Sequence, residues 1–182
     1  VRSIVATTSR YDEGLVAAGG NPGTNFANFT AEENLGKRLF FAPRNQGGAA
    51  CAPCHVANVG GPGGPGGQGA PRNSVFFSLD RARNNGLTDG RNPDEDHGIG
   101  DVTGRPQDDG LFKSSSLRSI ALSPPYMHDG SLPTLRSVVE HYNSGIQAHP
   151  NLDNRLRNGP GGTPQRLGLS PQEIDARVAF ME

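Results

Sequence analysis

The chain has no tryptophan and only two cysteines, and aromatic residues make up 6% of its 182 positions. So little aromatic mass limits the core that side chains alone can build, and hydrophobic residues reach only 33%. Both cysteines fall in one short motif, so none is left for a disulfide framework, and pairing says nothing about compartment. The net charge is −1, which leaves no basic footprint for nucleic acid and no strong acidic field. No apolar run approaches the roughly 18 residues of a membrane span. Val1-Arg2-Ser3-Ile4-Val5 lacks the shape of a signal peptide, so the chain reads as processed or cut from something longer. What is abundant is loop material: 26 glycines and 15 prolines predict a modest core and much irregular backbone. One domain, or one domain plus an arm, fits this length.

The motif is Cys51-Ala52-Pro53-Cys54-His55, a C-x-x-C-H run. Two thiols three positions apart can add to the two vinyl groups of one porphyrin, and the adjacent histidine then binds the iron through an imidazole nitrogen. A zinc site would want further ligands of the same type, and no other cysteine exists. A thioredoxin-like site would want a βαβ frame, which is absent. One covalent haem would also supply the apolar surface that the composition lacks.

Three helices are marked around the motif. Thr30 and Glu33 form a capping box, and Leu35, Leu39 and Phe40 make an apolar stripe that Pro43 ends. Gly36 on this helix is either a tolerated surface glycine or the point where another helix crosses closely. Thr134 caps a second helix with Leu135, Val138, Val139 and Tyr142 on one face, ended by Asn143-Ser144-Gly145. Ser170, Pro171 and Glu173 open a third, with Ile174, Val178 and Met181 inward. Residues 1–29 read as an arm or linker, with Ile4, Val5 and Tyr11 ending a helix and a turn at Gly19–Gly23. Residues 60–69 lack the lysine and strand–helix frame of a phosphate loop and read as a flexible surface loop. The acidic stretch 89–109 lacks the order of a calcium loop and reads as solvated, with an irregular calcium site as the alternative.

Leu35-Gly36-Lys37-Arg38-Leu39-Phe40-Phe41 ahead of the motif resembles the second haem domain of the bacterial di-haem cytochrome c peroxidases. So does Leu111–Ile120 running into Pro125-Tyr126-Met127-His128-Asp129-Gly130, and the MauG-like oxidases share this framework. Leu117-Arg118-Ser119 stands where the family has Leu-Arg-Asn. The resemblance covers most of residues 30–182. It implies an all-α, cytochrome c-like domain with long irregular loops around one covalent haem c. In that family the N-terminal haem domain binds peroxide at an open iron, and the C-terminal one is six-coordinate and passes electrons in. Only one C-x-x-C-H occurs here, and no acid–base residue is identifiable, so no catalytic residue is assigned.

The resemblance therefore implies one-electron transfer, as the C-terminal half of such a protein. The alternatives are a self-sufficient mono-haem carrier or cytochrome subunit, and a mono-haem peroxidase or sensor. The expected partner is a redox protein or a second haem domain, without nucleic acid or a membrane span. The expected location is periplasmic or otherwise extracytoplasmic, because bacteria attach haem c outside the cytoplasm.

Cys51, Cys54 and His55 are the haem-binding residues, with His55 as proximal ligand. Arg118 is a candidate partner for a haem propionate, the alternative being an ordinary surface arginine. The candidates for the sixth iron ligand are Tyr142, Met127, His128 and His141. Met127 is the default for a cytochrome c. The family places its ligand methionine, or in the MauG-like branch a tyrosine, at the position matching Tyr142. Helical spacing agrees, putting Tyr142 on the inward face and turning His141 about 100° away. The alternative is a core tyrosine. His128 reads as a loop-holding residue, Lys113 as solvated, and His97 and His149 as exposed. Ser123 and Pro125 match positions whose carbonyls hold a calcium ion between domains in the peroxidases.

Overall fold

The computed structural model describes residues 8–49, 51–55 and 82–182. In chain order the helices are α1 (Arg10–Ala17), α2 (Ala31–Phe41), α3 (Ala52–His55), α4 (Ile99–Thr103), α5 (Leu135–Glu140) and α6 (Pro171–Met181). A two-stranded antiparallel pair, β1 (Ala82–Arg83) with β2 (Phe112–Lys113), is the only named sheet among the described residues. The low-complexity stretch 60–69 lies outside the described residues. The chain divides into two compact units: Val1–Leu79 with Ser115–Leu122 and Pro171–Glu182, and Asp80–Ser114 with Ser123–Ser170.

The first unit is helical and aromatic. Ser9 and Asp12 close a capping box on α1, so Tyr11 opens a helix rather than ending one. Thr30 and Glu33 do the same for α2, as their spacing predicted, and Arg10 pairs with Glu33 at 2.6 Å. Asn34, buried on α2, accepts from the Phe26 amide at 2.7 Å and donates to the Phe26 carbonyl at 3.0 Å. That reciprocal pair latches residues 26–29 to α2 and leaves neither backbone group unmatched. Tyr11, Leu15, Phe26 and Phe40 form the buried core, with Phe29, Phe41 and Phe180 packed on it. Residues 8–29 therefore supply much of this unit's core. The scarce aromatics are concentrated here, with ring centroids of Tyr11 and Phe26 5.4 Å apart and of Phe40 and Phe180 also 5.4 Å apart.

α2 crosses α6 at Gly36. A Cβ there would stand 1.8 Å from the Ala176 carbonyl oxygen, so the glycine marks a close helix crossing. This contact also changes the inward face of α6. Ala176 and Arg177 are buried with Ile174, whereas Val178 and Met181 are only partly so. Lys37, beside the crossing, is 1% exposed. Its ammonium donates to the Pro22 and Thr24 carbonyls at 2.6 Å each and lies 4.0 Å from the Phe26 ring centroid. Burial pushes its pKa down to about 8.

The second unit is mostly loop. Its acidic stretch is explained by turns. Asp89 accepts from Arg91 N–H, Asp96 from Gly98 N–H and Asp101 from His97 N–H, so these carboxylates satisfy backbone donors. Asp108 pairs with Arg105, and Asp109 with His97. Tyr126, Leu135, Val139, Ile146 and Leu152 are its buried apolar residues. His149 is buried too, at 2% exposure, against the expectation of an exposed loop histidine. Gly90 and Gly110 leave the room it occupies, since a Cβ at Gly90 would stand 2.4 Å from His149 Nε2 and one at Gly110 3.0 Å from it. His149 Nδ1 accepts from Asn151 N–H at 3.0 Å, which leaves the proton of the neutral ring on Nε2.

Candidate haem site

The end of α2 holds the C-x-x-C-H motif. After a turn at residues 44–47 the chain doubles back, and Ala49 N–H donates to Leu39 O at 3.0 Å and Cys51 N–H to Phe40 O at 3.2 Å. Cys54 N–H and His55 N–H both donate to Cys51 O at 3.1 Å, closing one helical turn. Cys51, Cys54 and His55 are thereby placed at i, i+3 and i+4, on one side of that turn. Neither cysteine is joined in a disulfide. Cys51 packs against the aromatic cluster, as does Ala52.

Burial pushes the Cys51 thiol pKa up, the Arg177 guanidinium pulls it partly back, and Cys54 adds to the rise. Arg177 is 3% exposed and reaches the Leu39 carbonyl at 3.4 Å through Nη2. Its own pKa is lowered by burial, with Cys51 and Glu173 opposing. The donor set fits haem c: two thiols three apart, a neighbouring imidazole, and an apolar backing.

Arg118 has a protein partner. Its Nη1 and Nη2 donate to the two carboxylate oxygens of Asp12 at 2.7 Å each, and the side chains are 9% and 8% exposed. Burial raises the Asp12 pKa, but hydrogen bonds from Arg118 and Ser9 outweigh it, and the net shift is downward. α1 thus supplies a carboxylate to Arg118, for which the sequence offered either a haem propionate or the open surface. Beside this pair, Tyr11, Phe29, Phe40, Leu117 and Phe180 line a cavity of about 340 Å³.

The distal candidates lie in the second unit. α5 runs straight into a π-helical turn, His141–Gly145. A π turn widens the helix and moves every following side chain out of the 3.6-residue register. Leu135 and Val139 are buried as the stripe predicted, but the inward position then passes to His141, at 8% exposure. Tyr142 is half-buried beside it. His141 Nε2 pairs with the Asn85 carbonyl at 3.1 Å, and burial lowers its pKa. Met127 is half-buried, with a left-handed backbone at φ 73°. Asn85 Nδ2 donates to Met127 Sδ at 3.3 Å and stands 3.5 Å from the Tyr142 hydroxyl. So Met127 and Tyr142 come together around Asn85, while His128 stacks on Phe112 at 3.6 Å, as a loop-holding residue would. Ser123, Pro125 and Lys113 are exposed, and among the described residues no group of three or more His, Cys, Asp or Glu is placed to hold a metal ion.

Asp12, Arg177 and Asn85 were missed from sequence. Asn84-Asn85-Gly86 carries a turn signal only, and the other two carry none.

No protein-family model matches the chain. Cytochrome-c peroxidase IdrP1 of Denitromonas iodatirespirans is 32% identical over 166 residues, which is 86% of this chain and 41% of the relative. Methylamine utilization protein MauG of Methylorubrum extorquens is 41% identical over 71 residues, 39% of this chain and 18% of that protein. A solved MauG-like protein associated with microbial copper homeostasis matches 99% of this chain and 52% of its own, with TM-score 0.64 and 32% identity. The diheme peroxidase BthA from Burkholderia thailandensis matches in fold, with TM-score 0.58 at 22% identity over 100% of this chain and 47% of its own. The chain thus spans about half the length, or less, of the proteins it matches. The helix-rich architecture, the C-x-x-C-H turn and these likenesses together place the chain among the relatives of the bacterial di-haem cytochrome c peroxidases and MauG-like proteins, a family of haem-based redox proteins.

Proposed function

We propose that the chain is the C-terminal, electron-transfer haem domain of a di-haem peroxidase or MauG-like protein, with one covalent haem c on Cys51 and Cys54. The observation that carries this reading is the turn that sets both thiols and His55 at i, i+3 and i+4. When bound, haem c supplies one-electron exchange at its iron. The chain's own residues hold and shield it. The backbone return onto Leu39 and Phe40 fixes the turn, and the aromatic cluster behind Cys51 keeps water from that side. His55 is the proximal ligand. Tyr142 is the distal one, with Met127 as the alternative. The family resemblance supports the tyrosine, and the grouping of both side chains around Asn85 supports one of the pair. A phenolate would favour ferric iron and a low potential, and a thioether the reverse. The redox partner is a second haem domain or a carrier protein, in the periplasm or another extracytoplasmic space.

Intact mass of the acid-denatured holoprotein tests the attachment. One haem must remain on the polypeptide, and the Cys51→Ser/Cys54→Ser variant must lose it. Haem that extracts from the wild type into acidic organic solvent refutes the covalent site. Rapid peroxide turnover by the isolated chain would refute the electron-transfer role. For the distal ligand, Tyr142→Phe must move the ferric spectrum toward high-spin iron. An unchanged spectrum, together with a change in Met127→Leu, reassigns the ligand to methionine.

A further inference from the structure

Asn85 connects three parts of the second unit through one residue. Its Oδ1 accepts from Leu87 N–H at 3.3 Å. Its backbone carbonyl meets His141 Nε2 at 3.1 Å. Its Nδ2 faces Met127 Sδ at 3.3 Å and Tyr142 Oη at 3.5 Å. The Leu87 contact fixes the amide's orientation, because a flipped amide would set nitrogen against an N–H donor and oxygen against the sulfur. An amide nitrogen carries two hydrogens, and here there are two acceptors for them. The two acceptors come from two irregular places in this unit: the left-handed Met127 and the π-helical turn carrying Tyr142. Such irregularities persist only where surrounding contacts hold them, and they gather at functional positions.

We propose that Asn85 is the positioning residue that settles the distal ligation: its amide holds the Met127 thioether back and donates a hydrogen bond to the Tyr142 oxygen that goes to the iron. The inference rests on the assignment of Tyr142 as distal ligand made above. A hydrogen bond to a ligand oxygen draws electron density from it, so the phenolate donates less strongly to the metal. Asn85 therefore raises the reduction potential above that of an unassisted phenolate. It also keeps the competing sulfur occupied, which makes the ligand set single rather than mixed. A hydrogen bond to sulfur is weak, so this hold acts on geometry rather than strength.

Two substitutions in the holoprotein separate this role from simple packing. Asn85→Asp keeps the Oδ1 contact to Leu87 and the backbone contact to His141, and so keeps the fold. It replaces the donor by a carboxylate oxygen facing the phenolate. The tyrosine-ligated ferric fraction is expected to fall about tenfold or more, the range typical of lost outer-shell partners. Asn85→Leu, made in a Met127→Leu background, removes the donor without adding charge and leaves no competing sulfur. Tyrosine ligation is expected to persist there, with a reduction potential below that of Met127→Leu alone. The readouts are the ferric absorption and electron paramagnetic resonance spectra and a potentiometric titration, with circular dichroism to show that each variant is folded. A potential in the Asn85→Leu/Met127→Leu protein equal to or above that of Met127→Leu overturns the proposal, as does a wild-type ferric spectrum in Asn85→Asp. If Tyr142→Phe and Met127→Leu both leave the spectrum unchanged, the ligand assignment itself fails and this inference falls with it. If Tyr142→Phe changes the spectrum while both Asn85 variants match their parent proteins, only this inference fails.

Discussion

The crossing of α2 and α6 makes Gly36→Ala the sharpest test of the packing. On helix propensity alone the substitution should stabilise the protein by about 1 kcal/mol. The structure predicts the opposite. The new Cβ would lie 1.8 Å from Ala176 O, 2.5 Å from Ala176 C and 2.9 Å from Phe180 Cβ. Relaxed carbon–oxygen contacts need roughly 3.3 Å, so α2 and α6 must part by more than 1 Å. Two of the three blocking atoms are backbone, and no rotamer change relieves them. Overpacking of this kind costs about 1–3 kcal/mol, and a backbone clash belongs at the upper end. Set against the propensity gain, the net loss is about 2 kcal/mol. For a chain of this size that is a fall of about 4–8 °C in Tm. Thermal melts followed by far-ultraviolet circular dichroism measure it directly. A variant that melts at or above the wild-type temperature would show that the helices do not meet here.

Asp12→Asn should destabilise the first unit by about 3–5 kcal/mol, because it strips the charge from the carboxylate that balances the buried Arg118. The Asp12 pKa is lowered on folding, so its contribution is present above the ordinary value of 3.8 and is lost as pH falls through the lower folded value. Urea midpoints should therefore drop less steeply in the variant as pH falls below about 4, and parallel curves there would exclude the pair. Lys37 has the opposite sense. Its pKa falls from 10.5 to about 8 on folding, so the unfolded chain binds more protons between these values and stability climbs with pH there. Lys37→Met should flatten that climb, and an equal slope in both proteins would show that the amine is not buried as described.

Much of this was legible because it is local. The caps at Thr30 and Thr134 are short-range hydrogen bonds, and the helices begin where those residues stand. Gly36 could be narrowed to two meanings, and α6 decided between them. The rest depended on partners far off in the chain. Arg118 finds Asp12 at a separation of 106 residues, which no local pattern reports. His149 could be buried only because Gly90 and Gly110 leave it space. The inward turn of His141 was hidden for another reason. Periodicity assumes a constant 3.6 residues per turn, and the π turn breaks that assumption just where the ligand candidates lie. The C-x-x-C-H turn was the exception among sites, since its chemistry and its geometry are both local.

The first unit is assembled from three separate segments of chain, with the second unit's residues intervening. Its decisive contact, α2 with α6, thus has a very high contact order. Closing so long a loop costs entropy that grows only as the logarithm of its length, but it must be met before any packing energy returns. Early in folding the attachment turn can form, because its backbone partners Leu39 and Phe40 are close by in sequence. The wall behind it stays unfinished, because Phe180 arrives with α6. A nascent or truncated chain ending before Pro171 would therefore present both thiols against an incomplete backing. Synthesis of the last helix separates a chain that displays its cysteines against a partial wall from one in which that wall is closed.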